Sequence, residues 1–275
     1  MNNGNIQKMT ECSVMIALAT VLSLFKIAEM PYGGSITVAS MLPIVVAVFR
    51  NGGKWGLGTA LVASAIQILL GLKNFSYFTT WQSIVALGVF DYILAFGAFA
   101  LAGVFRRVEK RQNLAMLYGA MLASILRYIC HVISGATIWA GLSIPTEAAL
   151  IYSIGYNATY MIPETIVLLL STVYVASVID FKRRTPSRMP TLALDKLEAY
   201  SYIGAGLAIL VALIMDVAEI FPHIQNPESG EFDIRGVQNA NMTYVAIVSA
   251  VALVIAAGLV AFALLRRKNT KADNA

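Results

Sequence analysis

Long apolar runs, broken by short polar or basic turns, set the pattern of this chain. Eight runs are read as membrane spans: about Cys12–Ala28, Ile36–Phe49, Trp55–Leu72, Gln82–Phe105, Leu114–Trp139, Ala148–Ile179, Leu197–Met215 and Tyr244–Leu265. Most reach the roughly 17–25 residues that a helix needs to cross a bilayer. Polar and apolar residues do not alternate in short strands, so a β-barrel is not expected. The predicted fold class is all-α: a polytopic helical membrane protein with a six-helix core and an appended pair. The second run is short and holds Pro43, which predicts a tilted, kinked or partly inserted segment. Before it, Glu29–Ser35 carries Pro31 and Gly33-Gly34 and reads as a turn-rich loop. The sixth run is long enough for its start to project from the bilayer or unwind. The expected organisation is a membrane domain over 1–181, a basic linker over 182–196, and two further spans over 197–275.

Composition agrees with that pattern. Of 275 residues, 13% are charged and 58% hydrophobic, against roughly 25% charged in a soluble domain. Basic residues fall at Lys8, Arg50/Lys54, Arg106–Arg111, Lys182–Arg188 and Arg266–Lys271, each separated from the next by two spans. All five clusters therefore share one side, and the positive-inside rule makes it cytoplasmic, with both termini inside. The loop Asp216–Met242 falls outside and carries Asp216, Glu219, Glu228, Glu231 and Asp233 against Arg235. This topology accounts for the pI near 9.2, and nucleic acid is not an expected partner. Cys12 and Cys130 lie in apolar segments and read as buried thiols. The N-terminus lacks a signal-peptide pattern, so the first span is expected to be retained.

The stretch Arg127–Glu164 concentrates polar chemistry among apolar surroundings. Ionisable groups at membrane depth are costly and usually face a cavity or one another. His131, Gly135 and Trp139 are spaced by four and share one helix face, with the glycine leaving room between two large groups. Tyr152, Tyr156 and Tyr160 repeat by four beside Asn157, and their buried hydroxyls need partners. On the fourth span Asp91 interrupts LGVFDYILAFG. That carboxylate wants a cation, either Arg127 as a structural pair or a cationic ligand held also by aromatic faces. Glu164 lies deeper and is the better structural partner for Arg127. No glycine–lysine nucleotide loop, HExxH, zinc-spaced Cys/His cluster or GxSxG elbow is present. No metal or cofactor is expected.

Arg127, His131, Gly135 and Trp139 form R-x-x-x-H-x-x-x-G-x-x-x-W, and Tyr152, Tyr156, Asn157, Tyr160, Pro163 and Glu164 form Y-x-x-x-Y-N-x-x-Y-x-x-P-E. Over about the first 180 residues the chain resembles the substrate-binding S-components of energy-coupling factor vitamin transporters, in their thiamin-binding branch. The resemblance implies a six-helix fold with a pocket near the outer face, lidded by the loop after the first span. It implies that Trp139 stacks on the thiazolium, that Asp91 faces the cationic ligand beside Tyr92, and that His131, Tyr152 and Asn157 make polar contacts. Tyr32 is the aromatic of the lid loop. A transmembrane coupling subunit and two ATPase subunits are the implied partners, alongside thiamin itself and membrane lipid. Three departures stand out: Asp91 where the family pattern has Glu, Tyr32 where the lid often has Trp, and Val21 following Ser13 and Ala17 in a small-residue docking repeat.

The expected function is thus the binding subunit of an ATP-driven vitamin uptake system in the cell membrane. A stand-alone proton-coupled transporter using Asp91, Arg127, His131 and Glu164 is the alternative, although no inverted repeat is visible. An enzyme is not expected, since no nucleophile accompanies His131 and its neighbouring carboxylates.

Overall fold

The computed structural model describes residues 3–142, 146–189, 196–224 and 233–272. Pro145, Pro190, Glu228, Glu231 and much of the linker and outer loop fall outside them. Helix α1 (Asn3–Leu24) leads into an antiparallel hairpin of β1 (Lys26–Glu29) and β2 (Ser35–Thr37). Next come α2 (Leu42–Asn51), α3 (Gly53–Leu70) and α4 (Trp81–Arg107). The long helices α5 (Gln112–Thr137) and α6 (Ala149–Val178) complete the core. A two-residue pairing of β3 (Ile179–Asp180) with β4 (Ser187–Arg188) folds the start of the linker back, and α7 (Lys196–Ile224) and α8 (Met242–Ala272) follow. The all-α polytopic class holds.

Among the described residues, six helices, α3 to α8, contain segments long and apolar enough to cross a membrane. The first two expected spans need correction. Helix α1 begins earlier than expected and stops at Leu24, and its first half carries Gln7, Lys8, Thr10 and Glu11, which dilute its apolar character. The expected loop is a hairpin whose turn holds Tyr32 in the left-handed region at φ 63°. The expected span over Ile36–Phe49 shrinks to ten helical residues. At about 1.5 Å per residue it reaches about half the roughly 30 Å hydrocarbon thickness. Pro43 sits in its first turn, where a missing N–H leaves no bond unmade. This half-helix is a plug: Ile44, Val45, Val48 and Phe49 are completely buried. Small residues around it, among them Ala60, Ala63, Ala95, Ala102 and Ala120, are also buried and let α3, α4 and α5 close on it. The sixth span is one unbroken helix of 30 residues with Pro163 inside.

Three of the basic clusters, at Arg50, Arg106–Arg111 and Lys182–Arg188, meet at one end of the bundle. Arg50 donates to both oxygens of Glu11 at 2.7 and 2.9 Å, and to the carbonyls of Phe181, Arg183 and Arg184 at 3.0–3.1 Å. Arg106 donates to the Arg50 carbonyl at 2.9 Å, and Lys182 to that of Lys110. The hairpin therefore lies at the other end, where α1 finishes. Helix α7 packs along α6, and α8 along α7.

Candidate functional site

A cavity of about 320 Å³ opens beneath the hairpin, walled by the ends of α1 and α3 and by α4, α5 and α6. Small-molecule sites occupy roughly 300–1,000 Å³. Asp91, Tyr92, His131, Trp139, Asn157 and Tyr32 all line it. Tyr152 is the one expected contact residue that the structure does not bring to the cavity wall.

Asp91 is at the centre. Around it α4 widens into a π-helical turn, Gly88–Leu94, a form that recurs at functional sites. This turn brings two consecutive side chains, Asp91 and Tyr92, to the cavity. Asp91 Oδ1 lies 3.0 Å from His131 Nδ1, and its Oδ2 accepts from Trp139 Nε1 at 3.0 Å. An ionised carboxylate is acceptor-only, so His131 Nδ1 carries the proton of that bond. Two carboxylate oxygens offer about four lone-pair sites, which leaves Asp91 with acceptor capacity for a ligand. His131 Nε2 is buried and has no partner among the described residues. Leaving such an atom unmatched costs about 1–3 kcal/mol, so a polar ligand atom has a place to bind.

Aromatic rings pack around Trp139. Trp139 meets Phe78 edge-on at 4.9 Å between centroids, Tyr77 at 6.0 Å and Tyr32 at 6.2 Å. Tyr32 thus spans from the hairpin turn to the indole, and its left-handed backbone costs on the order of 1–3 kcal/mol. Tyr92 stacks on Phe75 at 5.5 Å and accepts from Asn74 Nδ2 at 3.2 Å. Tyr77, Phe78 and Phe75 come from the polar aromatic loop after α3, whose role the sequence did not indicate.

Asn157 works largely inward. Its Nδ2 donates to the carbonyls of Ser153 and His131 at 2.9 and 3.3 Å, and its Oδ1 accepts from Tyr160 at 2.6 Å. It ties α6 to the backbone that carries His131. Ser153 adds a second tie, donating to the Val132 carbonyl at 2.8 Å. Tyr156 and Tyr160 line the cavity, whereas the Tyr152 hydroxyl donates to Asp233 at 3.3 Å in the α7–α8 connection.

Arg127 and Glu164 close the floor as a buried pair at 3.1 Å. Glu164 also accepts from Thr37 at 3.0 Å, and Arg127 lies 5.2 Å over the Phe96 ring. The deeper structural pairing expected for Arg127 is present. The alternative pairing with Asp91 is not, because His131 and Trp139 take that carboxylate.

Known proteins resemble this chain in sequence and in fold. Residues 9–182 match the family model described as "Thiamine transporter protein (Thia_YuaJ)". The thiamine transporter ThiT of Bacillus subtilis (strain 168) is 34% identical over 171 residues, 58% of this chain and 85% of that protein. A solved structure of ThiT from Listeria monocytogenes shares the fold, with a TM-score of 0.52 and 23% identity over 63% of this chain and 95% of that one. These relatives carry transporter names, and the apolar helices make the chain a multi-pass membrane protein. The resemblance carried by the Arg127–Glu164 motifs is borne out: the chain belongs to the thiamine transporter protein family.

Proposed function

We propose that this chain is the substrate-binding subunit of an ATP-driven thiamin uptake system. It captures thiamin or a close analogue outside the cell and hands it on for release inside. The observation that carries the reading is Asp91, an acid held at the cavity by Trp139 and His131 and walled by aromatic rings. Thiamin has a fixed positive charge and two flat rings, which suit an anionic aromatic box. Asp91, Tyr92, His131, Trp139 and Tyr32 are the proposed contacts. Asn157 also lines the cavity and donates to the His131 carbonyl, and the Tyr152 hydroxyl donates to Asp233.

Energy comes from a transmembrane coupling subunit and two ATPases, since the sequence contains no nucleotide loop. The clustered basic end is cytoplasmic, with both termini. The hairpin then covers an entrance on the outer side. The chain performs binding and not chemistry.

Titration calorimetry of the purified protein with thiamin, with tryptophan emission followed in parallel, tests the reading. Saturable one-to-one heat is expected, with quenching that Trp139→Phe abolishes. No heat and unchanged emission across a wide thiamin range would overturn it. The Asp91–His131 contact gives proton-coupled transport by this chain alone its one foothold. Uptake into vesicles containing only this chain, driven by a pH gradient without ATP, would favour that alternative.

A further inference from the structure

The family match ends at residue 182, yet helix α7 beyond it reaches the site from behind. The Phe221 ring of α7 lies 6.3 Å from that of Tyr156, and Tyr156 meets Tyr160 edge-on at 6.0 Å. Both tyrosines line the cavity. Tyr160 in turn lies flush against the hairpin: a Cβ on Gly34 would stand 2.7 Å from its ring. One apolar cluster unites Met30 and Ile36 of the hairpin region, Tyr156 and Tyr160 of α6, and Phe221 and Ile224 of α7.

A polar contact runs alongside. Asp233 accepts the Tyr152 hydroxyl and is itself fixed by its N–H on the Ile224 carbonyl at 2.7 Å and by Arg235 at 3.0 Å. Helix α7 also approaches α6 closely at Gly206, where a Cβ would meet Leu170 at 2.5 Å. A two-stranded hairpin is marginal alone and depends on what it packs against. Opening the entrance requires Gly34 to leave Tyr160 and the hairpin's apolar residues to leave this cluster.

We propose that helix α7 braces the lid. Phe221 backs Tyr156, Tyr156 backs Tyr160, and Tyr160 seats the hairpin, so that the closed cavity holds its ligand longer. Phe221 is a positioning residue, since it meets Tyr156 and does not line the cavity. The inference rests on the proposed thiamin binding for its kinetic part and on the hairpin contacts for its structural part.

The test uses the full chain, thiamin as probe, stopped-flow dissociation, and hydrogen exchange at residues 26–37. Phe221→Ala is expected to speed thiamin release about tenfold and to change association by less than about threefold. Exchange in the hairpin should rise with it. Leu259→Ala is the control: it loosens the α7–α8 contact at Gly204, away from the cavity, and should leave release and hairpin exchange at wild-type values. Phe221→Leu keeps bulk without the ring, and should fall between wild type and alanine. If Phe221→Ala does not fold, Phe221→Leu decides by the same two readouts. Wild-type release and wild-type hairpin exchange in a folded Phe221 variant overturn the brace, as does equal acceleration by Leu259→Ala. If wild-type protein binds no thiamin, the functional reading fails and hairpin exchange alone judges the brace.

Discussion

Glu164→Ala removes the acid from the floor of the cavity. The two side chains of the pair are 13% and 8% exposed, so the guanidinium of Arg127 would remain buried without a counter-charge. Arg127 Nε already has no partner among the described residues, and the Phe96 face at 5.2 Å offsets little of the loss. Breaking a buried pair from one side costs roughly 3–5 kcal/mol. Thr37 loses an acceptor but keeps Ser40 at 2.7 Å, adding about 1 kcal/mol or less. A total near 4 kcal/mol corresponds to about a 10 °C fall in the unfolding midpoint for a chain of this size. The assay is thermal unfolding in detergent in a Cys130→Ala background, read by a thiol-reactive dye on Cys12, which is buried where Cys130 is only partly so. Glu164→Gln keeps a neutral acceptor and should lose about 1–2 kcal/mol. The double change Arg127→Met with Glu164→Met should regain most of the loss, because it buries no unpaired charge. Melting of Glu164→Ala within about 2 °C of wild type, well inside the shift expected from the buried-pair cost, would refute the reasoning. So would a double variant that melts as low as the single one.

Three further outcomes follow from the geometry. Trp139→Phe keeps a ring but removes the Nε1–H that fixes Asp91 Oδ2, and should weaken thiamin binding about tenfold in calorimetry, the loss of one charge-assisted bond. Gly34→Ala drives a methyl into the Tyr160 ring; it should raise hydrogen exchange in the hairpin while leaving exchange in α4 unchanged. Asp233 is held below the usual carboxylate range by its side-chain bond to Arg235, with the Arg235 backbone N–H and Tyr152 adding to this. Because its folded value is depressed, its contribution is full above the ordinary carboxylate range and is lost as pH falls through that lowered value. Thiamin release rates should therefore gain an acid-dependent step at low pH that Asp233→Asn lacks.

Much of the fold was legible because apolar runs of span length report directly on helices. The hairpin was not, since GGSITVASMLP carries no charge and its β-branched residues suit a strand or a buried helix equally. The π-helical turn at Asp91 leaves no mark in LGVFDYILAFG. At the site, His131 and Trp139 were readable from their spacing by four. Tyr152, expected as a contact from the resemblance, donates its hydroxyl to Asp233, a pairing distant in sequence. Tyr77, Phe78 and Phe221 reach the site by contacts distant in sequence, which no local period encodes.

The central claim is that the charge of Asp91 recognises a cation inside an aromatic box. Calorimetry of wild type and Asp91→Asn, each with thiamin and with a neutral isostere, tests it most directly. A cation about 5 Å from the carboxylate, at an effective dielectric of about 20–40, is worth about 2–3 kcal/mol. Any misfit of the amide against His131 and Trp139 falls equally on both ligands. The account expects thiamin to lose about 30- to 150-fold in affinity beyond whatever the neutral analogue loses. Equal losses for the two ligands would contradict it and leave Asp91 as a support for His131 and Trp139 alone.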